Sequence, residues 1–167
     1  MIDPFEAGQV RSGVISYGVS SYGYDMRLAD EFQVPRPRDG RAMDPKAIGP
    51  EDFDRARSKV FALEAGSYCL GRSLEYFRIP RNVLTLATGK STYARAGVFV
   101  NVTPFEPEWE GFVTLAIFNT GRSSVKLYAG EGIAQVVFFL CEEVCSISYA
   151  DRKGKYQATA AVTPPRV

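Results

Sequence analysis

The segment Val83-Leu84-Thr85-Leu86-Ala87-Thr88-Gly89-Lys90-Ser91-Thr92-Tyr93-Ala94-Arg95-Ala96-Gly97-Val98-Phe99-Val100-Asn101-Val102 decides the fold class. It reads as an apolar strand (Val83 to Ala87), a glycine turn, one short helix (Ser91 to Ala96), a second glycine and another strand (Val98 to Val102). Outward from it, 15 glycines and 10 prolines divide the chain into short runs rich in Val, Ile, Phe, Tyr and Thr. Further strands are predicted at Gly13 to Ser16, Tyr22 to Leu28, Val60 to Leu63, Ser67 to Leu70, Leu74 to Arg78, Phe112 to Asn119, Val125 to Tyr128, Ala134 to Leu140 and Cys145 to Tyr149. Their spacing predicts an all-β sandwich, jelly roll or distorted barrel. Besides Ser91 to Ala96, only Asp52 to Lys59 reads as helical, and proline-rich Val34 to Pro50 reads as a long surface loop. Residues 1–150 are expected to form one β domain. Residues 151–167, opening on the basic Arg152-Lys153-Gly154-Lys155, are expected to be a tail that closes over a ligand.

A chain of 167 residues with 46% hydrophobic content supports one packed core. Lysine and arginine total 20 against 19 acidic residues, and this balance gives no global field for nucleic acid or an anionic membrane. The longest apolar run, Val136 to Cys141, falls far short of the roughly 20 residues of a membrane-spanning helix, and no signal peptide is expected. Three cysteines, an odd number, suit reduced thiols in the cytoplasm, with Cys69, Cys141 and Cys145 expected as small buried hydrophobes. The chain contains no histidine, which excludes a Ser-His-Asp triad, a Cys-His dyad and any imidazole-ligated zinc. The cysteine spacing does not suit zinc either. Proton transfers would fall to carboxylates, lysine, tyrosine, or serine and water.

Two motifs carry candidate chemistry. Gly89 to Arg95 puts backbone N–H groups, the hydroxyls of Ser91 and Thr92 and the charges of Lys90 and Arg95 at one glycine turn. This is either a cradle for a phosphate or other polar ligand, or a short surface helix capped by Ser91. It is not a Walker loop, because Leu84 stands where that motif needs its first glycine. Asn101 to Gly111 sets the single tryptophan, Trp109, among Glu106, Glu108 and Glu110 and two prolines. It reads as a pocket wall or as an acidic turn with a packing anchor.

Together with Ile15-Ser16-Tyr17-Gly18, Ser20-Ser21-Tyr22-Gly23-Tyr24-Asp25, Glu75 to Pro80, Gly132-Ile133-Ala134-Gln135 and Gly154-Lys155-Tyr156-Gln157, these motifs resemble the dCTP deaminase family of the trimeric dUTPase-like superfamily. The likeness spans almost the whole chain, and the family's N-terminal helical segment would precede Ile2. It implies a β-clip or distorted jelly-roll subunit with one or two short helices, in a homotrimer with active sites between neighbouring subunits. It also implies hydrolysis of dCTP to dUTP and ammonia without zinc, magnesium accompanying the triphosphate; dUTP or dTTP are further candidate ligands. Carried over by position, Ser91 and Arg95 would stand at the cytosine and its attacking water, within a ligand-binding segment Lys90, Ser91, Thr92, Tyr93, Ala94 and Arg95. Thr114 and Leu115 would offer main-chain contacts to the base, and Glu106 would approach base or sugar. Gln135, Tyr149, Lys155 and the tail around Gln157 would hold the triphosphate. Tyr22, Tyr24 and Asp25 are expected to fix a strand and a subunit contact.

The resemblance also marks departures. Ala116 stands where the family carries the glutamate that moves the proton, and bulky Phe118 follows on the same strand face. Thr159 replaces a glutamine of the tail. Loss of a positioned general base costs about 10²- to 10⁴-fold in rate, so the expectation is a folded nucleotide binder with impaired or altered deamination. The alternatives are a non-catalytic binding paralogue, a dUTPase-like or bifunctional enzyme that cleaves the triphosphate, or a proton supplied by Glu106, Glu108 or Glu110.

Overall fold

The computed structural model describes residues 1–37, 40 and 42–166. In chain order the elements are β1 (Ile2–Asp3), β2 (Gln9–Val10), β3 (Tyr17–Val19), β4 (Gly23–Pro35), a 3-10 turn (Pro50–Asp52), β5 (Phe53–Arg57), β6 (Val60–Leu63), β7 (Tyr68–Arg78), β8 (Val83–Gly89), α1 (Ser91–Arg95), β9 (Val98–Asn101), β10 (Glu110–Asn119), β11 (Val125–Tyr128) and β12 (Gly132–Leu140). The pairings are antiparallel along the order β2-β3-β4-β7-β10-β9, with β12 joining β4 to β8, β5 on the outer half of β4 and β1 on β7. Strands β6 and β11 form a separate ribbon. The all-β expectation holds.

Alternation builds the core. Val113, Leu115 and Ile117 of β10 turn inward against Leu28, Phe77, Ile133 and Val136, and each fully buried side chain of this kind contributes about 1.5–3 kcal/mol. The rings of Phe32 and Phe61 stack at 4.4 Å and join the large sheet to the ribbon. Among the described residues, no helix is long and apolar enough to cross a membrane.

Several local expectations are corrected. Asp52 to Lys59 is not a helix: Phe53–Arg57 pairs with the end of β4, Arg57 facing Glu31 and Asp54 facing Val34, while Phe53 is buried. The strands expected at Ser67 to Leu70 and Leu74 to Arg78 are one, Tyr68–Arg78, continuous through Gly71, which leaves room for Leu28 and Ile117. Gly13 to Ser16 is a turn whose Ile15 N–H donates to the Glu131 carboxylate at 2.7 Å. Cys145 to Tyr149 is not a strand, since Arg81 gathers the Cys145 and Ser146 carbonyls at 2.8 and 3.0 Å. Only Cys69 is a buried thiol; Cys141 is exposed and Cys145 half-buried. The loop between β4 and the 3-10 turn includes residues 38, 39 and 41, which lie outside the described residues, and its Met43, Pro45 and Ile48 reach the cavity described next.

Candidate nucleotide site

Strand β10 presents Phe112, Thr114 and Ala116 to the face opposite the core. Its pairing with β7 shifts register between Phe112 and Thr114, and the Val113 N–H there is satisfied by the Ser73 hydroxyl at 2.8 Å. Ser73 in turn donates to the Glu75 carbonyl at 2.7 Å, so its hydroxyl bridges the irregularity next to the strand residues that face the cavity. The cavity measures about 600 Å³, walled by Thr114 and Ala116 of β10, Asn101 to Phe105, Trp109, Tyr68 and the tail's Tyr156, Thr159 and Thr163. Its lining is mostly aromatic, aliphatic and hydroxylic, with the Asn101 amide and the Met43 thioether added. No carboxylate and no cationic side chain is among the described residues that line it.

Ala116 lies across from Asn101 on β9 and Leu70 on β7. Phe118, two residues on, stacks against Tyr68 at 5.4 Å. The three acids of the tryptophan turn are engaged elsewhere: Glu106 faces Arg152 at 3.5 Å, Glu108 faces Arg81 at 2.7 Å and Glu110 faces Arg78 at 3.7 Å. None of them is among the described residues that line the cavity.

The tail lies along the other wall. Arg81 fastens its root, bonding Asp151 as well as Glu108 at 2.7 Å each. The Ser148 backbone N–H, and then Arg81, hold the Asp151 carboxyl below its usual range. The Tyr149 hydroxyl accepts from the Tyr156 N–H at 3.0 Å, and Gly154 packs so closely on the Tyr149 ring that a side chain there would clash. Thr159 pairs with Gly111 as a parallel bridge and donates its hydroxyl to the Phe112 carbonyl at 2.8 Å; the Thr163 N–H donates to the Thr114 hydroxyl at 3.2 Å. Lys155 is exposed, its ammonium on the Arg166 carbonyl at 2.6 Å.

The segment 90–95 forms a second group, absent from the cavity lining. Ser91, Thr92, Ala94 and Arg95 are exposed, and Arg95 donates to the Ser91 carbonyl at 3.1 Å. Tyr93 turns into the core, where burial pushes its phenol up to about 12 and its oxygen accepts from the Tyr128 N–H at 3.0 Å. Lys90, not Ser91, is the N-terminal cap residue of α1, and no side chain caps the helix, so the capping role weighed for Ser91 is not realised. Leu115 is fully buried and can offer a ligand only its main chain. Gln135 donates to Ser20 and Asp25 at 3.0 and 3.2 Å, and Lys90 meets Asp25 at 2.6 Å.

The structure thus gathers Thr114, Ala116, Tyr149 and Thr159 in one cavity and sets Lys90 to Arg95 apart from it. Asn101 to Phe105 and Trp109 do form a pocket wall, one of the two readings of that stretch, whereas sequence reasoning missed Asp25 as a hub and Tyr68 as a wall. An aspartate flanked by the buried Tyr24 and Met26 was the available signal for the first.

Comparison with known proteins gives a consistent picture. A dCTP deaminase-like family model matches residues 1–141. The dCTP deaminase of Gemmatimonas aurantiaca is 59% identical over 167 residues, 100% of this chain and 91% of that protein. That of Herminiimonas arsenicoxydans is 55% identical over 170 residues, 99% of this chain and 90% of the other. Among solved structures, the 2'-deoxycytidine 5'-triphosphate deaminase of Agrobacterium tumefaciens aligns with a TM-score of 0.58 at 19% identity over 73% of this chain, which spans 40% of that longer chain. A Staphylococcus bacteriophage 80alpha dUTPase aligns with a TM-score of 0.53 at 12% identity over 86% of this chain and 90% of its own. These two likenesses show a shared dUTPase-like fold.

Proposed function

Because the chain belongs to the dCTP deaminase-like family, we propose that it binds dCTP and deaminates it hydrolytically to dUTP and ammonia, at a rate far below that of a site with a carboxylate at position 116. The observation that carries this reading is the uncharged cavity around Ala116. Water attacking C4 must lose a proton and the departing amine must gain one, and a single carboxyl serves both needs in turn. With alanine there, the polar side chains among the described wall residues are hydroxyls such as those of Tyr68, Thr114 and Tyr156, the Asn101 amide and the Trp109 indole, all poor proton acceptors at neutral pH. The fall is about 10²- to 10⁴-fold. Binding suffers less, since the base is read by the main chain of Thr114 and Leu115 and held by aromatic walls.

The remaining ligands are Lys90, Ser91, Thr92, Arg95, Gln135, Tyr149 and Lys155 toward base, water and triphosphate, with Glu106 near the sugar. Ser91 and Arg95 are exposed and form no part of the cavity wall, an arrangement that suits their delivery to a neighbouring copy's cavity in a homotrimer. Magnesium would arrive with the triphosphate: among the described residues no cluster of three or more acidic or thiol side chains is placed to hold a metal, so phosphate oxygens and water would be its ligands. The cytoplasm, where deoxynucleotides are made, is the setting this function requires.

Chromatography of products from dCTP, for the protein and its Ala116→Glu variant, tests the proposal. A gain of about two orders of magnitude in dUTP with the variant is expected, and light scattering should report three times the chain mass. No gain, with no thermal shift from any deoxynucleoside triphosphate, would overturn it. No gain with retained binding would favour a non-catalytic nucleotide binder, and pyrophosphate release would point to triphosphate cleavage.

A further inference from the structure

The Asp25 carboxylate is buried, 1% exposed, yet it receives hydrogen bonds from three separate parts of the chain. Lys90 approaches Oδ2 at 2.6 Å from the turn before α1, Gln9 donates to Oδ2 at 2.9 Å from β2, and Gln135 donates to Oδ1 at 3.2 Å from β12. The amide of Gln9 is oriented by Arg11, whose Nε bonds its oxygen at 2.8 Å. Gly132 completes the arrangement, since a Cβ there would strike the Ser16 carbonyl and crowd the Lys90 stem. Among the described residues Asp25 is the anion that Lys90 pairs with, and the Lys90 side chain is 10% exposed.

Two of the three donors, Lys90 and Gln135, are the groups assigned above to the nucleotide. From this convergence we infer that Asp25 is a positioning residue for the triphosphate end of the site, a role that rests on the function proposed above. It fixes the direction of the Lys90 ammonium and the Gln135 amide while touching neither base nor phosphate. An ammonium has three donors, so the bond to Asp25 leaves others free to point at a ligand oxygen. If the carboxylate is lost, the ammonium is buried without an anion, and the side chain must swing toward water. The binding edge then loses its geometry even though Lys90 is still present.

Calorimetry with magnesium dCTP and with deoxycytidine, on the intact protein and on Asp25→Asn, Lys90→Gln and the double variant, separates positioning from general damage. Asp25→Asn should weaken dCTP about ten-fold while changing deoxycytidine less than about two-fold, and the double variant should be no weaker than the worse single one. Equal losses on both ligands, additive losses, or tighter dCTP binding would each overturn the inference; the last would mean that Asp25 merely competes for the charge of Lys90. Gln9→Ala, which keeps the charge pair, should give a smaller loss confined to dCTP, about two-fold, and serves if Asn at 25 prevents folding. A ligand-free readout is the ¹⁵N ammonium resonance of Lys90, protected from exchange in the parent and expected to vanish in Asp25→Asn. Its persistence there would sink the positioning role. Absence of all nucleotide binding in the parent would instead sink the function proposed above.

Discussion

The indole N–H of Trp109 donates to the main-chain oxygen of Tyr156 at 2.9 Å, tying the tail to the turn that walls the cavity. Gln157 reinforces the tie, donating to the Glu108 carbonyl at 2.9 Å and accepting from the Glu110 N–H at 3.3 Å. Trp109→Phe keeps a ring beside Phe105 but leaves that carbonyl without its donor, a loss of about 1 kcal/mol. Trypsin should then cut after Lys153 or Lys155 several times faster, with the core transition lowered by only a few degrees. Unchanged cleavage would show that the indole bond does not secure the tail.

Ala158 sits at φ 53, in the left-handed region that costs a non-glycine residue about 1–2 kcal/mol. Its N–H nevertheless bonds the Glu110 carbonyl at 2.9 Å, so the conformation is imposed by docking. Ala158→Gly should slow tail proteolysis and stabilise by about 0.5–1 kcal/mol once the added freedom of the unfolded chain is subtracted. Faster proteolysis would contradict this.

Glu75 is wholly buried and accepts from Arg27 Nε at 2.7 Å, the Arg27 N–H at 2.9 Å and the Tyr24 hydroxyl at 3.3 Å. Glu75→Gln leaves a largely buried guanidinium without its anion, and removal of one partner of such a pair costs about 3–5 kcal/mol. Urea denaturation measures it. A loss under 1 kcal/mol would mean that water reaches Arg27.

Burial, with the Glu75 charge adding to it, pushes the Tyr24 phenol up to about 12, and burial alone takes the Cys69 thiol to about 12. Tyr93 behaves alike. In the unfolded chain these groups ionise near 10 for tyrosine and 8.5–9 for cysteine. The folded state thus keeps protons that the unfolded state releases, so their contribution is complete below about pH 9 and is lost as pH climbs toward 12. The melting temperature should be level from pH 7 to about 8.5 and then fall, and Cys69→Val should delay the onset by about one unit. A curve flat to pH 11 would contradict the assignment.

The β10 strand was legible because Val113, Leu115 and Ile117 alternate with half-buried neighbours, while β6 and β11 were legible as short runs rich in apolar residues. Phe53–Arg57 was not, because its Asp-Arg-Ala-Arg composition suits a helix and only pairing with Glu31 to Pro35 decides otherwise. β7 was split at Gly71-Arg72-Ser73, where the glycine serves packing across the sheet and the serine serves the register shift, neither visible in local pattern. In the site, the residue types at 90–95 and 114–116 could be picked out. Their separation on the subunit could not, and nor could the bond between Asp25 and Lys90, which are 65 positions apart.

The tail's attachment beside Gly111 runs through main-chain groups: the Phe112 N–H to the Thr159 carbonyl, and the Ala158 N–H to the Glu110 carbonyl. Contacts of that kind are indifferent to which side chain each residue carries. At Ala158, whose side chain makes neither of these bonds, substitution can therefore alter the surface of the tail while both persist, whereas Gly154, Gln157 and Thr159, which dock it through packing or side-chain bonds, are not free to change in the same way.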